Sequence, residues 1–190
     1  VGTEALAAAI SDKTTMVHIQ RSCGYSAVRK TISVEEIGRV IKVVKDINPN
    51  IICFVDNCYG EFIDKIEPTY VGADIMAGSL IKNLGGGIAP MGGYIVGRAD
   101  LVENASYRAT APGLGAEMGA TLGDTQREYY QGLFLAPHVV LQAVKTAVFA
   151  ALMGILSCII IGILAGYVVA TIFTLIGNAT DKDAFKVINF

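Results

Sequence analysis

Two apolar runs, each leading into a chemically distinctive loop, constrain this chain more than anything else in it. Ile51-Ile52-Cys53-Phe54-Val55 runs into Asp56-Asn57-Cys58-Tyr59-Gly60-Glu61-Phe62. Ala73-Asp74-Ile75-Met76-Ala77-Gly78 runs into Ser79-Leu80-Ile81-Lys82-Asn83-Leu84-Gly85-Gly86-Gly87. Both runs are short, and the first is rich in β-branched and aromatic residues, so each reads as a core strand. Met16 to Gln20 reads as a strand before them, and Ser33-Val34-Glu35-Glu36 is a capping box. Ile37, Val40, Ile41 and Val44 then share one helical face until Asn48-Pro49-Asn50 stops the helix. Strand, helix, strand in that order implies a right-handed crossover with parallel pairing, hence an α/β fold with a mostly parallel sheet flanked by helices. Gly93 to Gly97 reads as a further strand entered by a tight reversal. Ala99 to Ala109 and Gly115 to Gln131 are predicted helices on either side of an Ala111-Pro112-Gly113 break, and a long helix is predicted from Leu135.

The two loops carry complementary chemistry. Asp56 falls at the carboxyl end of a strand, where open α/β sheets hold ligands. A partly buried carboxylate there needs a partner, and a protonated pyridine nitrogen is a suitable one. Lys82 reaches the same crevice from the next strand, and desolvation among glycines and apolar groups would lower its pKa for attack on an aldehyde. Ser79 offers a hydroxyl to a phosphate, and Gly85, Gly86 and Gly87 allow backbone to approach a ligand closely. Each residue also has a plainer reading. Asp56 with Asn57 and Gly60 fits a turn or helix cap, and Lys82 alone fits a solvated loop. His18 and His138 lack metal-ligand spacing and suit packing or hydrogen bonding, or a place facing the cofactor.

At these residues the chain resembles fold-type I pyridoxal phosphate enzymes, and more narrowly the methionine gamma-lyase family whose members carry the label aluminium resistance proteins. The resemblance spans residues 1–151 and is densest in His18-Ile19-Gln20-Arg21-Ser22-Cys23-Gly24-Tyr25-Ser26, in Asp56 to Phe62, and in Gly72 to Asn83. Tyr107 to Gly113 and Gln131 to His138 add to it. It implies the central part of a fold-type I large domain, with pyridoxal 5'-phosphate as cofactor. It implies Lys82 as the Schiff-base lysine, Asp56 as the partner of the ring nitrogen, Ser79 as a phosphate contact and Tyr59 as a contact of the ring's phenolic oxygen. The implied activity is that of a carbon-sulfur lyase acting on methionine or cystathionine-like amino acids, and an intact relative is expected to be a homodimer or tetramer. Leu84 departs from the family pattern, which carries a proline beside the glycine run. Val1 opens inside a helix-like stretch, so the chain reads as an excerpt of such an enzyme.

Composition fits a cytoplasmic enzyme core over most of the length. A net charge of -2 and the lack of a basic cluster give no footing for a nucleic-acid partner. Cys23, Cys53, Cys58 and Cys158 show neither CxxC spacing nor a compact framework, which predicts free thiols. The tail end breaks the pattern. No charged residue falls between Lys145 and Asp181, and Leu152 to Ile176 is long enough to cross a bilayer. In the family the corresponding segment turns polar and enters a small C-terminal domain. A transmembrane helix, with Gly162 and Gly166 as a G-x-x-x-G pair, and a buried helix of a soluble protein both satisfy the stretch. The expected organisation is therefore a partial cofactor-binding domain over 1–151, an apolar helix over 152–177 and a polar tail over 178–190. A non-catalytic, membrane-attached or assembly protein built from the enzyme fold is the alternative function.

Overall fold

The computed structural model describes residues 2–26, 28–109, 114–119 and 125–179. The chain divides into two compact units, Val1–Gln142 and Ala143–Phe190.

In the first unit the described residues form a four-stranded sheet in the order β1 (Met16–Gln20), β2 (Ile52–Asp56), β3 (Ile75–Ser79), β4 (Gly93–Gly97). β1, β2 and β3 are parallel, and β4 returns antiparallel to β3, so the sheet is mixed. Helix α1 (Thr3–Ala9) precedes β1, and α2 (Val34–Ile47) forms the crossover between β1 and β2. The capping box at the start of α2 closes as the sequence predicts. Ser33 Oγ accepts from the Glu36 amide at 3.1 Å, and Glu36 Oε2 accepts from the Ser33 amide at 2.9 Å. Ile37, Ile41 and Val44 of α2 then bury their side chains against Ile19, Ile51, Cys53, Val55, Ala73 and Met76 on one face of the sheet. Each aliphatic side chain removed from water in this way contributes roughly 1.5–3 kcal/mol.

A polar clamp closes the lower edge of this core. Asp74 Oδ2 accepts from the Cys53 amide at 2.8 Å and from Lys45 Nζ at 2.6 Å, and Oδ1 faces Arg98 at 3.4 Å. Burial by itself would raise the Asp74 pKa, but the Cys53 amide, Lys45 and Arg98 outweigh it and hold the carboxyl below its ordinary value.

Helix α3 (Ala99–Ala109) follows β4 as expected, but the helix predicted over Gly115 to Gln131 does not form as one piece. A short 3-10 turn occupies Ala116–Met118, flanked by Gly115 and Gly119 at φ 59° and 70°, a left-handed conformation that interrupts an α-helix. The Ala111-Pro112-Gly113 break and residues 120–124 lie outside the described residues. The long helix α4 begins at Thr125 rather than Leu135 and runs to Ala179 with Pro137 in its interior. Within the first unit, Ala136 and Val140 of α4 are buried.

In the second unit α4 continues as far as Ala179, with no charged side chain from Thr146 onward among the described residues. Its large apolar side chains, from Val148 to Ile176, are exposed all round the helix. The polar tail predicted after residue 177 lies almost wholly outside the described residues.

Candidate active site

Strand alternation sorts the carboxyl ends of β1 to β3 onto two faces. Val55 and Cys53 point into the α2 core, so Asp56 and Phe54 point to the opposite, open face. Register places Gln20 and Ala77 beside Asp56, with Ser79 two residues further along β3 on the same face. His18 shares that face and stacks on Phe54, ring centres 5.0 Å apart at 23°, which is the packing role its sequence context allows. His138 is exposed on α4.

Lys82 arrives three residues after β3 and is partly buried. Its Nζ lies 4.6 Å from the centre of the Tyr59 ring, and it forms no ion pair with a carboxylate among the described residues. Tyr59 is 60% exposed and holds φ at 65°, an uncommon left-handed conformation for a residue with a side chain. Asp56 Oδ1 accepts from the Cys58 amide at 3.1 Å, so part of its role is the turn contact that its sequence position allows, and the Cys58 thiol lies beside the same carboxylate. Ser79 Oγ accepts from the Ile81 amide at 3.3 Å, tightening the loop that leads to Lys82. Asp56, Cys58, Tyr59 and Lys82 are thus gathered at one corner of the sheet, with Ser79 on the adjoining strand.

The electrostatics differ from the sequence expectation at Lys82. Burial does push its pKa down, but Cys58, Tyr59 and Asp56 together outweigh burial and hold the amine above its ordinary value. The Cys58 thiol is also raised, by burial first and then by the Asp56 carboxylate beside it. The glycine run departs from expectation too. A Cβ on Gly86 would lie 2.3 Å from Gly132 O, and one on Gly132 would lie 2.3 Å from Gly85 O. Gly86 therefore admits helix α4 against the back of the Lys82 loop rather than a ligand, a Cβ on Gly85 would run into Leu80 O and Ala89 Cβ of its own loop, and of the three only Gly87 faces open space.

Beneath the same corner, on the core face, runs a polar network that sequence patterning did not single out. Arg21 Nη1 donates to Asn57 Oδ1 at 2.8 Å and to Gly60 O at 3.0 Å, and Nη2 donates to Asp64 Oδ2 at 2.5 Å. Asn57 Nδ2 donates to Glu67 Oε2 at 2.9 Å and to Tyr94 Oη at 3.3 Å, and Tyr94 Oη donates to Glu61 Oε1 at 2.7 Å. Asn83 Nδ2 reaches back from the Lys82 loop to Glu61 O at 3.1 Å. Arg21 and Glu61 are each only 2% exposed, and Arg21 Nε and Glu61 Oε2 have no partner among the described residues. Burial raises the Glu61 pKa despite the hydrogen bond from Tyr94, and burial with Glu61 raises that of Tyr94. The one sequence signal for this network is the strand-ending Arg21, whose backbone amide bonds to Asp56 O at 3.0 Å.

The donor set suits the cofactor that the resemblance implies. A carboxylate on the open face, a primary amine without an ion pair among the described residues, a phenol and a hydroxyl match, in order, a ring nitrogen, an aldehyde, a ring oxygen and a phosphate.

Comparison with known proteins bears on the family to which the chain belongs. The methionine gamma-lyase family model matches residues 1–162, past the expected boundary at residue 151. The uncharacterized protein YnbB of Bacillus subtilis is 59% identical over 148 residues, covering 78% of this chain and 35% of its own length. A solved structure from Listeria innocua, named as a candidate cystathionine beta-lyase involved in aluminum resistance, superposes with a TM-score of 0.71 at 57% identity, covering 75% of this chain and 34% of that one. Another from Clostridium novyi NT, named as a carbon-sulfur lyase involved in aluminum resistance, gives 0.69 at 52% identity over 76% and 34%. The chain spans about a third of the length of each of these relatives. On the family match and these identities, the chain belongs to the methionine gamma-lyase family.

Proposed function

We propose that the chain carries the cofactor-holding core of a pyridoxal phosphate-dependent carbon-sulfur lyase acting on a sulfur-containing amino acid. The observation that carries this reading is the meeting of Lys82 and Asp56 at the carboxyl ends of neighbouring parallel strands, with the amine over the Tyr59 ring and in no ion pair among the described residues. Lys82 holds the cofactor aldehyde and later moves a proton at the substrate's alpha carbon. Asp56 keeps a proton on the ring nitrogen, Tyr59 orients the ring oxygen, and Ser79 contributes to phosphate binding. Pyridoxal phosphate, when bound, supplies the electron sink that lets the sulfur substituent leave. Because Lys82 is held above its ordinary pKa in the free chain, it must lose a proton before it captures an aldehyde. Residues 1–151 form the cofactor domain portion in this proposal, and an intact relative is a homo-oligomer.

The test is an absorbance spectrum of the chain with pyridoxal phosphate, before and after borohydride, against Lys82→Ala. A band trapped by reduction only when Lys82 is present supports the reading, and no Lys82-dependent band overturns it.

A second reading concerns residues 152–177 alone. We infer that this apolar helix associates with a lipid bilayer. Apolar side chains occupy every face, and its serine and threonine hydroxyls are satisfied internally. Ser157, Thr171 and Thr174 donate to the carbonyls of Met153, Tyr167 and Ala170 at 2.8, 2.8 and 2.9 Å. Back-bonding of this kind suits a medium without water. Retention of the chain in a membrane pellet through a carbonate wash supports this, and a detergent-free soluble species overturns it.

A further inference from the structure

We infer that Arg21 is a positioning residue that fixes the turn from Asn57 to Gly60 and thereby aims Asp56 and Tyr59; its catalytic meaning rests on the cofactor reading above.

One residue holds both ends of that turn. The Arg21 amide bonds to Asp56 O at its entrance, and the Arg21 guanidinium bonds to Gly60 O at its exit and to the Asn57 side chain between them. The turn is built around the guanidinium. A Cβ on Gly60 would lie 2.2 Å from Arg21 Nη1 and 2.7 Å from Arg21 Cδ, so only glycine leaves room for it. Tyr59, the residue before Gly60, carries the left-handed φ of 65°. Such a conformation persists only where its surroundings over-determine it. The bond to Gly60 O supplies that constraint on the carboxyl side of Tyr59.

The geometry separates positioning from a plain buried ion pair. Asp56 and Asn57 are neighbours in sequence pointing to opposite faces, so the clamp on Asn57 below is transmitted to the carboxylate above. The network then closes on the Lys82 loop, through Tyr94, Glu61 and Asn83. Asp64, in contrast, is partly exposed and binds only the outer nitrogen of the guanidinium. Glu67 Oε2 lies 3.9 Å from Arg21 Nη1, a long contact, so Asp64 at 2.5 Å is the close ion-pair partner; if the role were that pair, removing Asp64 and removing Arg21 would have the same consequence.

The experiment uses the full chain with Cys23→Ser and Cys158→Ser, which leaves Cys58 and the buried Cys53 as thiols. The pH profile of Cys58 alkylation by iodoacetamide is read without cofactor in the parent, Arg21→Met, Arg21→Lys and Asp64→Asn. Burial and Asp56 hold the Cys58 thiol high only while the turn keeps its shape. The Arg21→Met profile is expected to move about half a pH unit lower, giving about threefold faster alkylation at pH 8. Arg21→Lys is expected to lie between, and Asp64→Asn to superpose on the parent. Should Arg21→Met fail to fold, Arg21→Lys carries the comparison. A folded Arg21 variant whose profile matches the parent overturns the proposal, as does an Asp64→Asn shift equal to that of Arg21→Met. With pyridoxal phosphate added, Arg21→Met is expected to weaken the Lys82-dependent band. Its absence in the parent overturns the cofactor reading alone, since the thiol profile still decides the clamp.

Discussion

The Lys82 ammonium sits over the face of the Tyr59 ring, 4.6 Å from its centre. At a partly exposed site such a contact stabilises the cation by about 0.5–1 kcal/mol, which corresponds to roughly half a pKa unit. Tyr59→Leu is therefore expected to lower the Lys82 pKa by that amount, while Tyr59→Phe keeps the ring and most of the effect. Carbon-13 NMR of the reductively methylated chain reads the value directly. Equal shifts in both variants would assign the effect to the phenol rather than the ring.

Glu61 is expected to make stability fall as pH rises. Its folded pKa is raised by burial, so the folded state binds the proton more tightly than the unfolded chain does. The contribution is complete below the ordinary glutamate value of 4.5 and is lost as pH climbs through the raised folded value. Glu61→Gln keeps an acceptor for Tyr94 without the charge. Its melting temperature is expected to exceed the parent's at pH 8 and to match it in acid, as thermal unfolding followed by circular dichroism would show.

Asp74 gives the opposite sign. Its folded pKa is depressed, so the stabilisation is present above the ordinary aspartate value of 3.8 and disappears as pH falls through the folded value. Asp74→Asn is expected to cost about 1.5–3 kcal/mol at neutral pH, as for loss of charge-assisted hydrogen bonds, and to flatten the acid limb of the stability profile. Urea unfolding at several pH values measures both.

Gly132→Ala is expected to destabilise the first unit by about 1–3 kcal/mol, because the new methyl would meet the Gly85 carbonyl at 2.3 Å. The backbone that must yield is the Lys82 loop. Pyridoxal phosphate capture, measured by borohydride trapping, should therefore fall along with urea stability, whereas the exposed Gln131→Ala neighbour should change neither.

Placing a lysine at Ile163 tests the bilayer reading. A charge at the centre of a spanning helix costs about 2.5–3.5 kcal/mol, enough to reduce membrane retention strongly. A soluble chain would show the reverse, with Ile163→Lys increasing the yield in the supernatant.

Much of the fold was legible because its elements announce themselves locally. The capping box at Ser33, the apolar stripe of α2 and the short runs into Asp56 and Ser79 each pair a hydrophobic period with a stop signal. The long helix was harder, since Pro137 lies in its interior and hides the continuity back to Thr125. Asp56 and Lys82 could be read as a pair because each lies in the loop that an apolar run leads into. Arg21, Asn57, Glu61, Glu67 and Tyr94 could not. They are scattered along the chain, and each polar residue on its own looks like surface until the sheet register brings it under the site. The glycines after Lys82 carried no mark of whether ligand or helix would approach them, because a missing Cβ serves either.

Gly78 gives the sheet an unusual property at this corner. A Cβ there would lie 2.5 Å from Glu61 Oε1 and 2.5 Å from a carbon of the Tyr94 ring, so the two side chains occupy the space a methyl would fill. The wall between the buried network and the open face is consequently a single backbone thick. Charge states set on one side can be felt electrically on the other without any atom crossing, so the chemistry of the open face is open to adjustment by substitutions that never touch it.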